Sequence, residues 1–210
     1  MIYDILIYPL ELFLKNIFEL FFLFSNNYLI AILLLSLCVN IMLLPFYSWA
    51  KKLQNKERIT STKLKPIIEE FKSVYKGSEL HAVTSTLYRQ HNYHPIYALR
   101  SLLGLLIQVP LFIAAYYFLF YNKELIGIET ILFKDLSAPD SWIQIGDLSI
   151  NVMPFIMSII NLISGLIYTK DMSKTEKNQT IFLSFIFFIL LYNASSALLF
   201  YWTINNLFSL

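Results

Sequence analysis

YLIAILLLSLCVNIMLLPF, Tyr28 to Phe46, carries no charged side chain and only a few polar ones. A bilayer core asks for about 20 mostly apolar residues in helical form, so this run predicts a membrane-crossing helix. Further runs of the same kind lie at 100–121 and 151–168, and two shorter ones at 180–192 and 197–210. Asn193-Ala194-Ser195-Ser196 splits the last pair and predicts a tight turn between antiparallel helices. Short crossings of this kind tilt or thin the surrounding bilayer. The fold class that follows is an all-α membrane protein with a five-transmembrane-helix core.

Composition agrees. Of 210 residues, 57% are hydrophobic and 14% charged, against about 25% charged in soluble globular domains. Cys38, the only cysteine, excludes an internal disulfide and reads as a small buried hydrophobe. The first residues lack a basic n-region and a small-residue cleavage site, so no cleaved signal peptide is expected. Residues 1–24 differ from the other apolar runs. Asp4, Glu11, Lys15 and Glu19 share one helical face, with Leu10, Leu14, Phe18 and Phe21 elsewhere around it. Four charges are costly in hydrocarbon, so this segment predicts an amphipathic helix lying in the membrane interface.

Charge sets the expected topology. Residues 51–100 hold ten Lys and Arg, residues 122–150 only Lys123 and Lys134 beside five acids, and residues 169–179 again Lys170, Lys174 and Lys177. The positive-inside rule puts the first and third segments in the cytoplasm and 122–150 outside. The N-terminus is then outside and the C-terminus inside, in the plasma (inner) membrane. Within 47–97, apolar residues at 67, 68, 71, 74 and 75 have helical spacing, and Lys76-Gly77-Ser78 marks a stop with Ser78 available as the next cap. A second helix to about His91 completes a cytoplasmic helical hairpin. Its candidate partner-contact residues are Lys65, Glu69, Lys72, Tyr75, Tyr88 and Arg89.

Asn40, Gln108, Ser158, Asn161, Ser164, Ser184, Thr203, Asn205 and Asn206 sit at or near membrane depth. Each needs a hydrogen-bond partner or water, since lipid offers neither. Interhelical bonding explains any one of them, at about 0.6 kcal/mol each. A shared wet groove explains their number better. Its candidate lining is Asn40, Gln108, Ser158, Asn161, Thr203 and Asn206, with Arg100 as a further candidate. His91 and His94 lack a third ligand nearby, so no metal is expected. No phosphate loop, nucleophile elbow or H-E-x-x-H is present. The expected protein is not an enzyme, takes no cofactor, and binds no specific nucleic acid.

Several landmarks, in order, resemble the YidC/Oxa-type membrane protein insertases. They are Leu43-Leu44-Pro45-Phe46, Lys65-Pro66-Ile67-Ile68-Glu69-Glu70 with Tyr75-Lys76-Gly77, and Leu87-Tyr88-Arg89 with Pro95. Leu106-Ile107-Gln108-Val109-Pro110-Leu111-Phe112 with Tyr116-Tyr117 follows, then Asp135-Leu136-Ser137-Ala138-Pro139-Asp140, Met153-Pro154, and Tyr201-Trp202 with Asn206-Leu207. The resemblance covers nearly the whole chain. It implies a five-helix core around a hydrophilic groove, open to the cytoplasm and lipid, that inserts hydrophobic segments and passes short polar tails. Nascent membrane proteins and the lipid bilayer are then partners, with the ribosome and the Sec translocon as further candidates.

Three departures qualify it. Asn40 stands where the family carries an arginine, so it cannot attract acidic tails by charge. About three extra residues separate Pro95 from Gln108. The sequence to Leu210 lacks the basic tail of some relatives, and a large outer domain and an extra anchor helix are also lacking, which suggests a specialised or reduced paralogue. Two other functions compete: a scaffold that recruits a cytoplasmic partner through the hairpin, and a small transporter, for which neither an internal repeat nor an intramembrane carboxylate speaks.

Overall fold

The computed structural model describes residues 3–168 and 174–208. Residues 169–173, the start of the basic loop expected at 169–179, lie outside the described residues. The described chain is mostly helical: α1 (Tyr8–Ser25), α2 (Tyr28–Val74), α3 (Gly77–Gln90), α4 (Leu103–Phe120), α5 (Met153–Tyr168), α6 (Lys174–Leu191) and α7 (Ser196–Phe208). It divides into two compact units, Met1–Met42 with Pro110–Leu210, and Leu43–Val109. Among the described residues, α2 alone is long and apolar enough to meet a full-length criterion for crossing a membrane. Shorter apolar helices lie at Leu106–Phe120, Met153–Ile167 and Ile181–Leu191.

In the first unit, two adjacent asparagines make the corner between α1 and α2. Asn26 takes a left-handed conformation (φ 48°) and its N–H closes α1 on the Phe22 carbonyl, a cap that asparagine tolerates better than most residues. Asn27 Oδ1 then accepts the free N–H groups of Leu29 and Ile30, opening α2. α1 buries Leu14 and Phe18, and Ile7 just ahead of it is buried too. Phe18 meets Phe118 edge-on, with ring centres 5.4 Å apart.

Helix directions follow from paired contacts. Ser36 donates to the Tyr201 carbonyl and Asn40 to the Asn205 side chain, both pairs 165 residues apart, so α2 and α7 run parallel. Phe155, near the start of α5, packs on Phe188 and Tyr192 at the end of α6, so that pair is antiparallel. α5 also packs along α7. Residues 192–195 make the tight α6–α7 turn read from the sequence.

The 122–150 segment, expected to be a loop, is folded and contains the chain's one described departure from helix. β1 (Ile143–Ile145) and β2 (Leu148–Ile150) pair antiparallel, with Ile143 opposite Ile150 and Gln144 opposite Ser149. Leu125, Phe133 and Leu136 of this segment are buried. Its carbonyls and carboxylates satisfy helix starts. Ala138 and Leu136 accept from the N–H groups of Ser196 and Ala197, and Asp140 accepts from those of Val152 and Met153. The first N–H groups of a helix have no partner within it, so these bonds lock the segment over the ends of α5 and α7 as a cap.

The second unit holds the helical hairpin. The sequence sets a boundary at Phe46, whereas α2 continues through Pro45 and Pro66 to Val74. The change from apolar to basic composition therefore falls inside one helix. Gly77 has φ +58°, a conformation other residues adopt only with strain. Lys76, not Ser78, occupies the N-cap position of α3. The extra residues after Pro95 form a 3-10 helix, Pro95–Leu102, capped by His94 Nδ1 accepting from the Ile96 N–H.

Candidate functional site

The polar side chains of the first unit gather on α2, α5, α6 and α7. Ser36, Asn40, Ser184, Thr203, Asn205 and Asn206 are all buried. Asn40 Nδ2 donates to the Ser36 carbonyl one turn back (2.9 Å) and across to Asn205 Oδ1. Thr203 Oγ1 returns its proton to the Leu199 carbonyl of its own helix (2.7 Å). Two atoms are different. Ser158 Oγ and Trp202 Nε1 are buried, and no described residue accepts or donates a hydrogen bond there. Leaving such a group unpaired costs about 1–3 kcal/mol, and ordered water is the usual remedy. Asn161, on the same helix as Ser158, is half-buried.

This interior is neutral. Residues 28–50, 101–120, 151–169 and 178–210 contain no Asp, Glu, Lys or Arg. Beside it, Phe112 packs edge-on against Trp202 (4.4 Å) and Phe187 (5.8 Å). A cleft of about 330 Å³ opens along α4 and α6, lined by Phe112, Ile113, Tyr116, Tyr117, Phe187, Leu190 and Leu191.

Gln108 and Arg100, also expected at the groove, belong to the second unit. Both are half-buried. Arg100 lays its guanidinium 3.7 Å from the centre of the Tyr97 ring, a cation–π contact. Tyr97 in turn meets Tyr93, and Tyr93 meets Tyr88. At the centre of this cluster is a residue the sequence reading missed. Glu57 is buried, accepts from the Tyr93 hydroxyl at 2.7 Å, and keeps its other carboxylate oxygen without a partner among the described residues. Burial, and then the bond to Glu57, raise the Tyr93 hydroxyl far above the ordinary tyrosine range. A contact 36 residues apart in sequence leaves no local signal. Of the expected hairpin contacts, Lys65, Glu69, Lys72, Tyr75 and Arg89 are exposed, while Tyr88 is half-buried.

The cap has its own anionic latch. Asp135 Oδ1 accepts from the Gly127 N–H and from the Ser137 N–H and hydroxyl. Burial pushes this carboxyl up, but the hydrogen bonds outweigh it and hold it below the usual carboxylate value.

The profile of the family described as 60Kd inner membrane protein matches residues 20–210. The chain belongs to that family. Among curated relatives it is 30% identical over 219 residues to the membrane protein insertase YidC of Treponema denticola, covering 96% of this chain and 36% of that protein. It is 28% identical over 198 residues to the YidC of Endomicrobium trichonymphae, covering 93% and 37%. A crystal structure of an active YidC insertase with its first transmembrane domain resolved matches with a TM-score of 0.59 at 28% identity. That match covers 98% of this chain and 44% of the other. The chain thus spans little more than a third of the length of these curated relatives, and its fold is that of a YidC insertase.

Proposed function

We propose that this chain is the membrane-embedded core of a membrane protein insertase, built as five bilayer crossings with α1 in the interface and the helical hairpin in the cytoplasm. The observation that carries the reading is the neutral polar interior. Buried amides and hydroxyls of α2 and α7 meet in an otherwise apolar unit, where Ser158 Oγ of α5 and Trp202 Nε1 of α7 call for water. The family membership supports the same reading.

The mechanism is a lowered barrier. A charge at the centre of a bilayer costs about 2.5–3.5 kcal/mol on insertion scales. A short polar tail of a nascent membrane protein keeps part of its hydration beside Asn40, Ser158, Asn161, Thr203 and Asn206 of the first unit. Its apolar segment leaves for lipid along the aromatic cleft of α4 and α6. No bond is made or broken. α1 fits its place: Leu12, Phe13, Leu20, Leu23 and Phe24 are exposed, an apolar surface for the acyl boundary. The exposed hairpin residues Lys65, Glu69, Lys72, Tyr75 and Arg89 offer a charged docking face to a cytoplasmic partner such as the ribosome or the Sec translocon.

Depletion of the protein, followed by protease mapping of small membrane proteins, tests this. The reading predicts that a subset remains protease-accessible from the wrong side. Unchanged insertion of every protein tested contradicts it. Replacing both Asn40 and Gln108 by Leu separates an insertase, which loses insertion, from a scaffold, which keeps its partner.

A further inference from the structure

We infer that the β1–β2 hairpin of the cap is an amphipathic interfacial anchor whose apolar face sits in the lipid headgroup layer. The inference rests on the proposed membrane crossings, those of α5 and α6 among them. Ile143 and Ile145 alternate with Gln144, so the two isoleucines share one face of β1 and Gln144 the other. In β2, Ile150 pairs with Ile143 and Ser149 with Gln144. One face is therefore apolar and the other polar. Among the described residues the β1 part of this apolar face is left largely open, with Ile143 46% and Ile145 64% exposed, while Ile150 opposite Ile143 is half-buried. A two-stranded hairpin is marginal alone in water, and an uncovered apolar face makes it more so.

The occupant follows from position. Ile150 lies three residues before Met153, the first residue of α5, a span of at most about 10 Å. The hairpin is thus tethered at the mouth of a crossing helix whose own exposed side chains include Phe155, Ile159 and Ile163. Trp142 precedes β1, is 43% exposed, and donates its indole N–H to the Leu132 carbonyl at 2.9 Å. Tryptophan with a satisfied N–H and a partly exposed ring is a favoured residue of the membrane interface. Ile131 and Leu132 extend the exposed patch. The only charge between 141 and 150 is Asp147, in the turn after Gly146 (φ +60°). Trp142 also stacks on buried Phe133 (5.7 Å, 19°), so adhesion of the hairpin to lipid holds the cap over the ends of α5 and α7.

Site-directed spin labelling tests this with the full chain in vesicles of phosphatidylethanolamine and phosphatidylglycerol. Cys38→Ser supplies the background, and single cysteines replace Ile143, Gln144, Ile145, Ser149 and, as a bilayer control, exposed Phe185 of α6. The expected result is alternation: labels at 143 and 145 collide mainly with oxygen, those at 144 and 149 mainly with a water-soluble nickel chelate, with a severalfold difference in the ratio. Uniform nickel access at all four positions overturns the inference, because the hairpin then stands in water. Labels at 143 and 145 shielded from both agents also overturn it, because protein, such as a second copy, then covers the face. Oxygen access at Phe185 with either of those outcomes leaves the crossing intact and removes only the anchor. Nickel access at Phe185 removes both.

Discussion

Asn40 on α2 and Asn205 on α7 join two parallel helices through their side-chain amides, both buried. The pair carries no charge, and each side chain supplies a partner for the other. Truncating one partner leaves a buried amide without its mate, at about 1–3 kcal/mol. Asn40→Leu and Asn205→Leu are each expected to lower thermal stability by that amount. The double variant should recover part of the loss. A double-mutant cycle with no coupling between the two positions would show that the bond does not form in the membrane.

The second unit depends on another pair. Tyr93→Phe removes the one described hydrogen bond to buried Glu57, and hydrogen exchange of the hairpin should rise by one to two orders of magnitude, equivalent to about 1–3 kcal/mol. Glu57→Gln should lose less, because a neutral side chain is cheaper to bury. Tyr93 has its ionisation raised above the ordinary value of 10.0. A raised group stabilises fully below its unfolded value, and that stability is lost as pH rises toward the folded one. Hairpin protection should therefore fall above about pH 10 in the wild-type chain, with a smaller change in Tyr93→Phe.

Asp135 works in the opposite direction. Its carboxyl is held below the ordinary value of 3.8, so its contribution to the cap is present above that value and is lost as pH falls through the folded one. Between pH 5 and pH 8 the cap should be indifferent to pH. Below the ordinary aspartate range, exchange at Gly127 and Ser137 should accelerate. Asp135→Asn keeps an acceptor oxygen but should abolish this pH dependence.

Asp140 caps the start of α5 from the far side of the hairpin. Asp140→Ala should cost about 1–2 kcal/mol, read as faster exchange at Val152 and Met153 with little change in α7. Equal loosening of both helices would mean that the cap opens as one body.

Much of this architecture is legible in the sequence because bilayer and helix periodicity act locally. The apolar runs that begin at Tyr28 and Asn151, the break at Asn193–Ser196 and the stop at Lys76-Gly77 all depend on neighbours within a few residues. Pro45 lies inside an unbroken helix. Proline weakens a helix interior by about 3 kcal/mol, and here the surrounding helix continues regardless. The β-hairpin was legible in principle, since I-Q-I-G-D-L-S-I alternates on both sides of a Gly-Asp turn. Its strands are only three residues long, too short for the alternation to stand out from a connecting segment. Glu57–Tyr93 and the bonds from Leu136 and Ala138 to α7 are tertiary, spanning tens of residues, and no local pattern encodes them.

The central claim is that water reaches the neutral interior of the first unit. Its most direct test is reaction of Ser158→Cys, in a Cys38→Ser background and in vesicles, with a small water-soluble thiosulfonate, from which only a hydrated thiolate displaces sulfinate to form the mixed disulfide. The account predicts labelling at position 158 well above that of a lipid-facing cysteine in place of Phe185. A cysteine at 158 as inert as the one at 185 would mean a dry interior and would contradict it.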